Sequence, residues 1–408
     1  MARHVDTNTD EQSHEDEKPT HVRITLDDMA FEGSAIGRYE GRVIFADYGI
    51  PGEDVTVRIE QNKRGFWNGV VEEVHEPSPH RVEPPCPYFG TCGGCQWQHI
   101  DYQHQAELKR HVVAEQLRRI GKFEDPPVSE TLGAPEPFGY RNHARFTIRN
   151  EGALGFVSRA GSGRRFMPID KCMLMHPWIN DVLDKLQGRA QGKHQVVIRY
   201  GINTGDAFVQ PDQREVEPDL PSDKTWFEEE LHGNRFRISG PSFFQTNTKQ
   251  AERLFDLVRD RLKLKGNETL VDAYAGVGTF AVMLSPYVRD VIAIEESPSA
   301  TEDAQVNLEA APNVAFYKGK VEHVLPELDI QPDIVLLDPS RPGCHKKTLE
   351  RVIDFKPKRI VYVSCNPATL ARDLRILVDA GYDLKDVTPV DMFPQTYHVE
   401  SISILEPA

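Results

Sequence analysis

The sequence predicts an α/β chain built around a doubly wound, mostly parallel sheet in its C-terminal part, with a small all-β barrel near its start. Three observations carry this. From about residue 236, apolar strand-like runs alternate with helix-length segments: T-L-V-D-A-Y, V-I-A-I-E, V-A-F-Y, I-V-L-L-D and R-I-V-Y-V-S-C. Residues 20–76 instead alternate apolar and polar positions over short runs punctuated by Gly33, Gly37, Gly41, Pro51 and Gly52. Between these regions, C-P-Y-F-G-T-C-G-G-C gathers three cysteines in a glycine-rich loop.

Taken in order, residues 1–19 are polar and acidic with almost nothing to bury, and read as a disordered tail. Residues 20–76 contain H-V-R-I-T-L, G-R-V-I-F-A, D-V-T-V-R-I and W-N-G-V-V-E-E-V, the pattern of an OB-like barrel. There Arg58, Lys63, Arg64, Phe66 and Trp67 mix cations with aromatics, as a single-strand-binding surface does; packing inside the barrel is the alternative for the two aromatics. Pro77, Pro79, Pro84 and Pro85 then mark a linker, and D-Y-Q-H-Q-A-E-L-K-R-H-V-V-A-E-Q-L-R-R-I-G has helical periodicity with a terminal glycine. Residues 126–235 are strand-rich and irregular, so 77–235 is expected to be a central domain and 236–408 the doubly wound one.

The net charge of −15 opposes a general nucleic-acid binder. Local cationic clusters nevertheless occur: Lys109, Arg110, Arg118, Arg119 and Lys122 along the predicted helix, then Arg141, Arg145 and Arg149 in alternation, and Arg159, Arg164 and Arg165. Ordinary solvated faces are the competing reading. No window approaches an uninterrupted apolar span of about 20 residues, and the first residues lack an apolar signal region. A cytoplasmic protein without membrane association is expected, and a monomer.

The six cysteines stand at 86, 92, 95, 172, 344 and 365. Cys86, Cys92 and Cys95 form C-x5-C-x2-C, and Cys172 lies far along the chain in I-D-K-C-M-L, read as a strand. Four thiolates of this kind suit a [4Fe–4S] cluster. Zinc is the rival, although structural zinc more often pairs two short cysteine hairpins.

V-D-A-Y-A-G-V-G-T-F at 271–280 reads as strand, glycine turn and helix start. It lacks the dinucleotide G-x-G-x-x-G and the Lys-Ser/Thr of a P-loop. Its context is more specific, because V-I-A-I-E ends in Glu295 about 20 residues on, where a carboxylate can accept from a ribose diol. S-adenosylmethionine is the expected ligand, with Tyr274 packing against it. Asp338, in L-L-D-P-S-R-P-G, falls at the C-terminal end of a strand and so in the ligand crevice. That loop resembles the D-P-P-Y loop of amino-methyltransferases, but Arg341 replaces the aromatic. V-Y-V-S-C-N-P ends a strand on Cys365, and F-P-Q-T-Y-H-V-E-S-I places Glu400 near the C-terminus. A thiol and a carboxylate in one domain with a cofactor loop supply a nucleophile and a base. Each alone has an ordinary explanation, a packed cysteine and a strand-start carboxylate. Cys344 is read as incidental.

Together these residues resemble the RNA 5-methyluridine (uracil-C5) methyltransferase family of the RumA/TrmA type. The resemblance spans nearly the whole chain beyond the tail. It implies an N-terminal TRAM (OB-like) barrel, a central iron–sulfur-bearing mixed domain and an S-adenosylmethionine-dependent, Rossmann-like catalytic domain. It further implies that Cys365 attacks uracil C6, that Glu400 accepts the C5 proton, and that Gln245 (in S-F-F-Q-T-N), Tyr274, Glu295 and Asp338 contact S-adenosylmethionine. The target base would be flipped from its RNA fold, and His398 could help orient it. Thr279 and Lys320 depart from residues found in some members. The cysteine cluster favours ribosomal RNA, 23S rRNA in particular, with tRNA as the alternative. Cytosine-C5 methylation would place its cysteine in a D-A-P-C-type loop, whereas Cys344 lies beyond R-P-G. A non-catalytic RNA-binding or redox module is opposed by the presence of Cys365, Glu400 and Asp338 together.

Overall fold

The structure is a computed structural model that describes residues 19–158, 165–192 and 194–408. Residues 1–18 of the expected 1–19 tail and the cluster residues Arg159 and Arg164 lie outside the described residues. The chain divides into two compact units, one holding the residues up to Ala30 with Ser34–Pro79, the other Phe31–Gly33 with His80–Ala408.

The first unit is a closed five-stranded barrel of β1 (His21–Met29), β2 (Ala35–Tyr39), β3 (Arg42–Asp47), β4 (Asp54–Lys63) and β5 (Phe66–Glu76), in the order β1-β2-β3-β5-β4. The sequence alternation becomes an inside and an outside: Val22, Ile24 and Leu26 of β1 and Val55, Val57 and Ile59 of β4 point into the core. Buried Glu53 joins them by accepting from the amides of Ile50 (2.9 Å) and Ser78 (3.1 Å). Trp67 is 6% exposed and packs as a wall residue, its Nε1 donating to Asn62 at 3.1 Å, while the Arg42 guanidinium lies 4.8 Å from its ring centre. Phe66 is half-buried, edge-on to Phe45.

In the second unit, the cysteine loop leads into α1 (Tyr102–Arg119), capped by Asp101, whose carboxylate accepts from His104 N at 2.9 Å. Next come β6 (His143–Arg149), β7 (Ala153–Ser158), β8 (Arg165–Pro168), α2 (Pro177–Leu186), β9 (Gln195–Tyr200) and β10 (Ala207–Gln210). The strands form an antiparallel sheet in the order β10-β9-β6-β7-β8, and the apolar face of α2 (Ile179, Val182, Leu183, Leu186) closes its core. A hairpin, β11 (Trp226–Leu231) and β12 (Asn234–Ser239), and α3 (Thr248–Leu262) lead into the large sheet.

That sheet comprises β13 (Thr269–Ala273), α4 (Thr279–Leu284), β14 (Asp290–Glu295), α5 (Pro298–Asn307), β15 (Val314–Lys318), α6 (Val321–Val324), β16 (Ile334–Leu337), α7 (Lys346–Phe355), β17 (Arg359–Ser364), α8 (Pro367–Asp379), β18 (Tyr382–Val390) and β19 (Glu400–Pro407). The strand order is β15-β14-β13-β16-β17-β19-β18, parallel through β17, with β19 antiparallel to both neighbours. Helices cover both faces, so β13, β16 and β17 are apolar runs rather than alternations. α1 joins this layer, because Val113, Ala114 and Leu117 share a core with Leu370, Leu374 and Leu377 of α8.

Two expectations change. Lys109 does not belong to an exposed cationic face: it is fully buried, its ammonium 2.5 Å from Asp391 Oδ1. A long side chain on an amphipathic helix cannot show from sequence alone whether a distant carboxylate awaits it. Cys172 lies in the loop between β8 and α2 and not in a strand, held there because Asn180 Oδ1 accepts from its amide at 2.8 Å.

Candidate functional site

The C-terminal edge of the large sheet collects the chemistry. β17 is buried along its apolar run and stops at Ser364. Asn366 then caps α8, its Oδ1 accepting from Ala368 N (3.0 Å) and Thr369 N (3.4 Å), with Pro367 preset at the first helical position. Cys365 is thereby held between a strand end and a helix N-terminus, half-buried. β19 runs antiparallel to β17 with Ser364 paired to Ser401, so one more step of that register sets Cys365 opposite Glu400. Asp338 follows β16 directly.

These three groups are close enough to influence one another electrostatically. Burial, then Glu400 and Asp338, push the Cys365 thiol up to about 11, and Arg341 opposes them. Burial and Asp338 hold the Glu400 carboxyl well above the usual carboxylate range, again against Arg341. Burial alone lifts Asp338 to about 7. The role of Arg341 is not visible in sequence, where it stands only as a departure from the aromatic of a base-stacking loop. Its charge lowers the Cys365 thiol pKa against the carboxylates, and its backbone oxygen accepts from Thr369 Oγ1 at 3.1 Å. His398 lies nearby, lowered to about 4 by burial and by Arg341, Lys109 and Arg141, and stays neutral at pH 7.

The glycine loop sits at the same sheet edge. Gly276 and Gly278 adopt φ of 57° and 85°, which L side chains rarely take, and Gly278 caps α4. Tyr274 adopts φ 91° without being glycine, a feature no sequence signal announced. Glu295 braces the loop, with Oε2 accepting from Gly276 N at 2.8 Å and Oε1 from Ser297 N at 2.6 Å. Asp272 is fully buried and, among the described residues, reached by no side-chain donor; burial and Asp338 push it up to about 8. Gln245 approaches from the segment before α3, its carbonyl accepting from Asn142 Nδ2 at 3.0 Å and its buried Oε1 left without a partner among the described residues. Next to it, Phe243 is 68% exposed. Cys344 is buried in a polar network, its amide 2.9 Å from Asp373 Oδ2, which also accepts from the Tyr362 hydroxyl at 2.6 Å.

A second site lies elsewhere in this unit. Cys86, Cys92, Cys95 and Cys172 line one cavity of about 460 Å³, all as free thiols. Local bonds shape the loop: Cys92 N donates to Tyr88 O (2.9 Å), and Gly90 and Gly93 take φ of 79° and 71°. Burial pushes Cys95 up to about 12 and also raises Cys92 and Cys172, with the neighbouring cysteines adding to each shift. Arg141, His143, Arg145 and Lys171 line the same cavity, so alternate residues of β6 face the thiols. Among the described residues, no three His, Cys, Asp or Glu side chains gather tightly enough to hold a single metal ion. No helix among them is long and apolar enough to cross a membrane.

Residues 223–323 and 325–407 match the tRNA (Uracil-5-)-methyltransferase family, and residues 20–71 match the TRAM domain. The chain is 36% identical to an RNA methyltransferase of Halalkalibacterium halodurans, covering 94% of this chain and 96% of that one. It is 35% identical to an RNA methyltransferase of Nostoc over the same shares. The structure of Pyrococcus abyssi tRNA (uracil-54, C5)-methyltransferase in complex with S-adenosyl-L-homocysteine aligns with a TM-score of 0.74 at 26% identity, covering 94% of this chain and 99% of that chain. The fold and these relatives make the chain an S-adenosylmethionine-dependent methyltransferase. The chain belongs to the RNA (uracil-5-)-methyltransferase family and carries that family's activity behind a TRAM domain.

Proposed function

We propose that this enzyme methylates C5 of a uridine in structured RNA through a covalent bond between Cys365 and uracil C6. The placement of Glu400 opposite Cys365, with Asp338 and Arg341 beside them, carries the reading. Uracil C5 is a poor nucleophile until a thiolate adds to C6 and pushes the electron pair through C5 onto the C4 oxygen. Arg341, whose charge lowers the thiol's pKa, favours the thiolate and would stabilise the enolate charge. S-adenosylmethionine, when bound, supplies an electrophilic methyl group to C5. Glu400, in its ionised form, then takes the C5 proton, the C6–S bond breaks, and the thiolate of Cys365 is regenerated; the proton passes from Glu400 to solvent.

The residues fit the cofactor. The positive-φ glycines leave the sheet edge open, and Gln245 offers a buried oxygen in need of a donor. Tyr274 and Asp338 border the same edge, and Glu295 holds the loop in shape. Exposed Phe243 offers a face for a flipped base.

The four-cysteine cavity fits a [4Fe–4S] cluster. A single zinc would draw its sulfurs to about 2.3 Å from one point, whereas a four-iron cluster spreads its cysteines around a cube. The lining cations would balance the thiolates' charge. Replacing any one of Cys86, Cys92, Cys95 or Cys172 by serine should bleach cluster absorbance and release iron; unchanged iron content removes the assignment.

Ribosomal RNA is the first candidate substrate, and tRNA the second because the Pyrococcus abyssi structural relative is a tRNA methyltransferase. Tritium release from RNA bearing 5-tritiated uridine tests both, with unmodified ribosomal and transfer RNA assayed separately under anaerobic conditions. Cofactor-dependent release establishes substitution at uridine C5, and the productive RNA identifies the substrate class. No release from either, with folded protein, defeats the reading.

A further inference from the structure

Residues 391–399, between β18 and β19, deliver His398 and Glu400 to the site, yet they form neither helix nor strand. Side chains and loops from elsewhere hold them. One hold is on Gln395, which is 4% exposed and takes φ 70°, a left-handed backbone that a non-glycine residue keeps only when its surroundings impose it. The fully buried side chain of Gln105, on α1, imposes it from one side. Gln105 Oε1 accepts from Gln395 N at 3.0 Å, and Gln105 Nε2 donates to Gln395 Oε1 at 3.0 Å. The same Nε2 reaches the carbonyls of Trp97 (3.0 Å) and Ile100 (2.9 Å). From the other side, the amides of Gln96 and Trp97 donate to Gln395 O at 3.2 and 3.1 Å.

We propose that Gln105 is a positioning residue for the proton-accepting carboxylate: by clamping Gln395 in its left-handed backbone it holds the turn that enters β19 at Glu400, and so fixes how the first residue of that strand presents its side chain. This rests on the roles given to Cys365 and Glu400 above. Gln105 is remote in sequence, touches neither reacting group, and serves both ends of one amide. Loss of that amide frees Gln395 to leave the left-handed region, and Glu400 begins five residues later. Because Glu400 acts only after C5 is methylated, its misplacement blocks the last step and not the first bond.

The test is a comparison of Gln105→Leu, Gln395→Ala and Glu400→Gln with the wild type. Four quantities are read: circular dichroism, RNA and S-adenosylmethionine affinity, turnover, and RNA adduct surviving denaturation. Gln105→Leu should lower turnover about 10- to 100-fold, leave both affinities within about twofold, and accumulate a methylated adduct as Glu400→Gln does. Gln395→Ala keeps the backbone acceptor and loses one side-chain bond, so it should show the same adduct with a smaller turnover loss; it decides the matter if the leucine variant does not fold. Turnover that falls without adduct, or wild-type behaviour in the folded variants, overturns the proposal. Absence of adduct in Glu400→Gln itself overturns the roles on which it stands.

Discussion

Burial and two carboxylates hold the Cys365 thiol near 11 in the RNA-free protein, so roughly one molecule in ten thousand carries the thiolate at pH 7. The group is protonated below its raised pKa and gains reactivity as pH rises, with a limiting slope of about tenfold per pH unit. Single-turnover rates at saturating RNA and cofactor should therefore climb from pH 6 to 9; a flat profile would show that RNA binding itself ionises the thiol or that another step limits. Cys365→Ala should abolish methylation and leave S-adenosylmethionine affinity within about twofold, because the thiol makes its bond to RNA. Glu400→Gln should permit one methylation and stop with RNA attached, seen as a band that survives denaturing electrophoresis.

At the scale of elements, the turn from β17 into α8 does two jobs. Asn366 satisfies two helix amides, and the same geometry presents Cys365 at the sheet edge. Asn366→Ala should cost about 1 kcal/mol of stability, measured by denaturant midpoint, and lower turnover by more than that loss explains, since Cys365 loses its fixed neighbour. Equal effects on both would mean the cap serves α8 alone. This element was legible in the sequence because its parts are contiguous: an apolar run, then Ser-Cys-Asn-Pro. The glycine loop was legible for the same reason. Less was visible between residues 126 and 235, where α2 stands among short strands. Its ten residues carry a fully buried face, but the pattern is too brief to stand out from the strand-rich surroundings.

For the whole molecule, the cluster of carboxylates at the sheet edge bears on stability. Asp272 is raised in the folded protein to about 8, against an ordinary aspartate value of 3.8. The folded state therefore binds a proton that the unfolded chain releases, and this contribution is full below about pH 4 and lost as pH rises through 8. Asp272→Asn, which cannot ionise, should remove that part of the pH dependence. Between pH 5 and 8, the wild-type unfolding free energy should fall relative to the variant's. Parallel curves would show that Asp272 gains a partner this fold does not reveal.

From sequence alone the parallel sheet, the barrel, the glycine turn after β13 and the four cysteines could be read. Each follows from residues close in the chain or from a spacing that few structures share. Tertiary structure alone decided that Glu400 opposes Cys365, because that follows from an antiparallel register between β17 and β19, elements separated by α8 and β18. It alone brought the charge of Arg341 to bear on the thiol, buried Lys109 against Asp391, and placed Cys172 in a loop at the cavity of the other three cysteines. Local sequence fixes backbone preference and polarity, whereas charge pairing and pKa depend on through-space distance and burial, which only the packed chain defines.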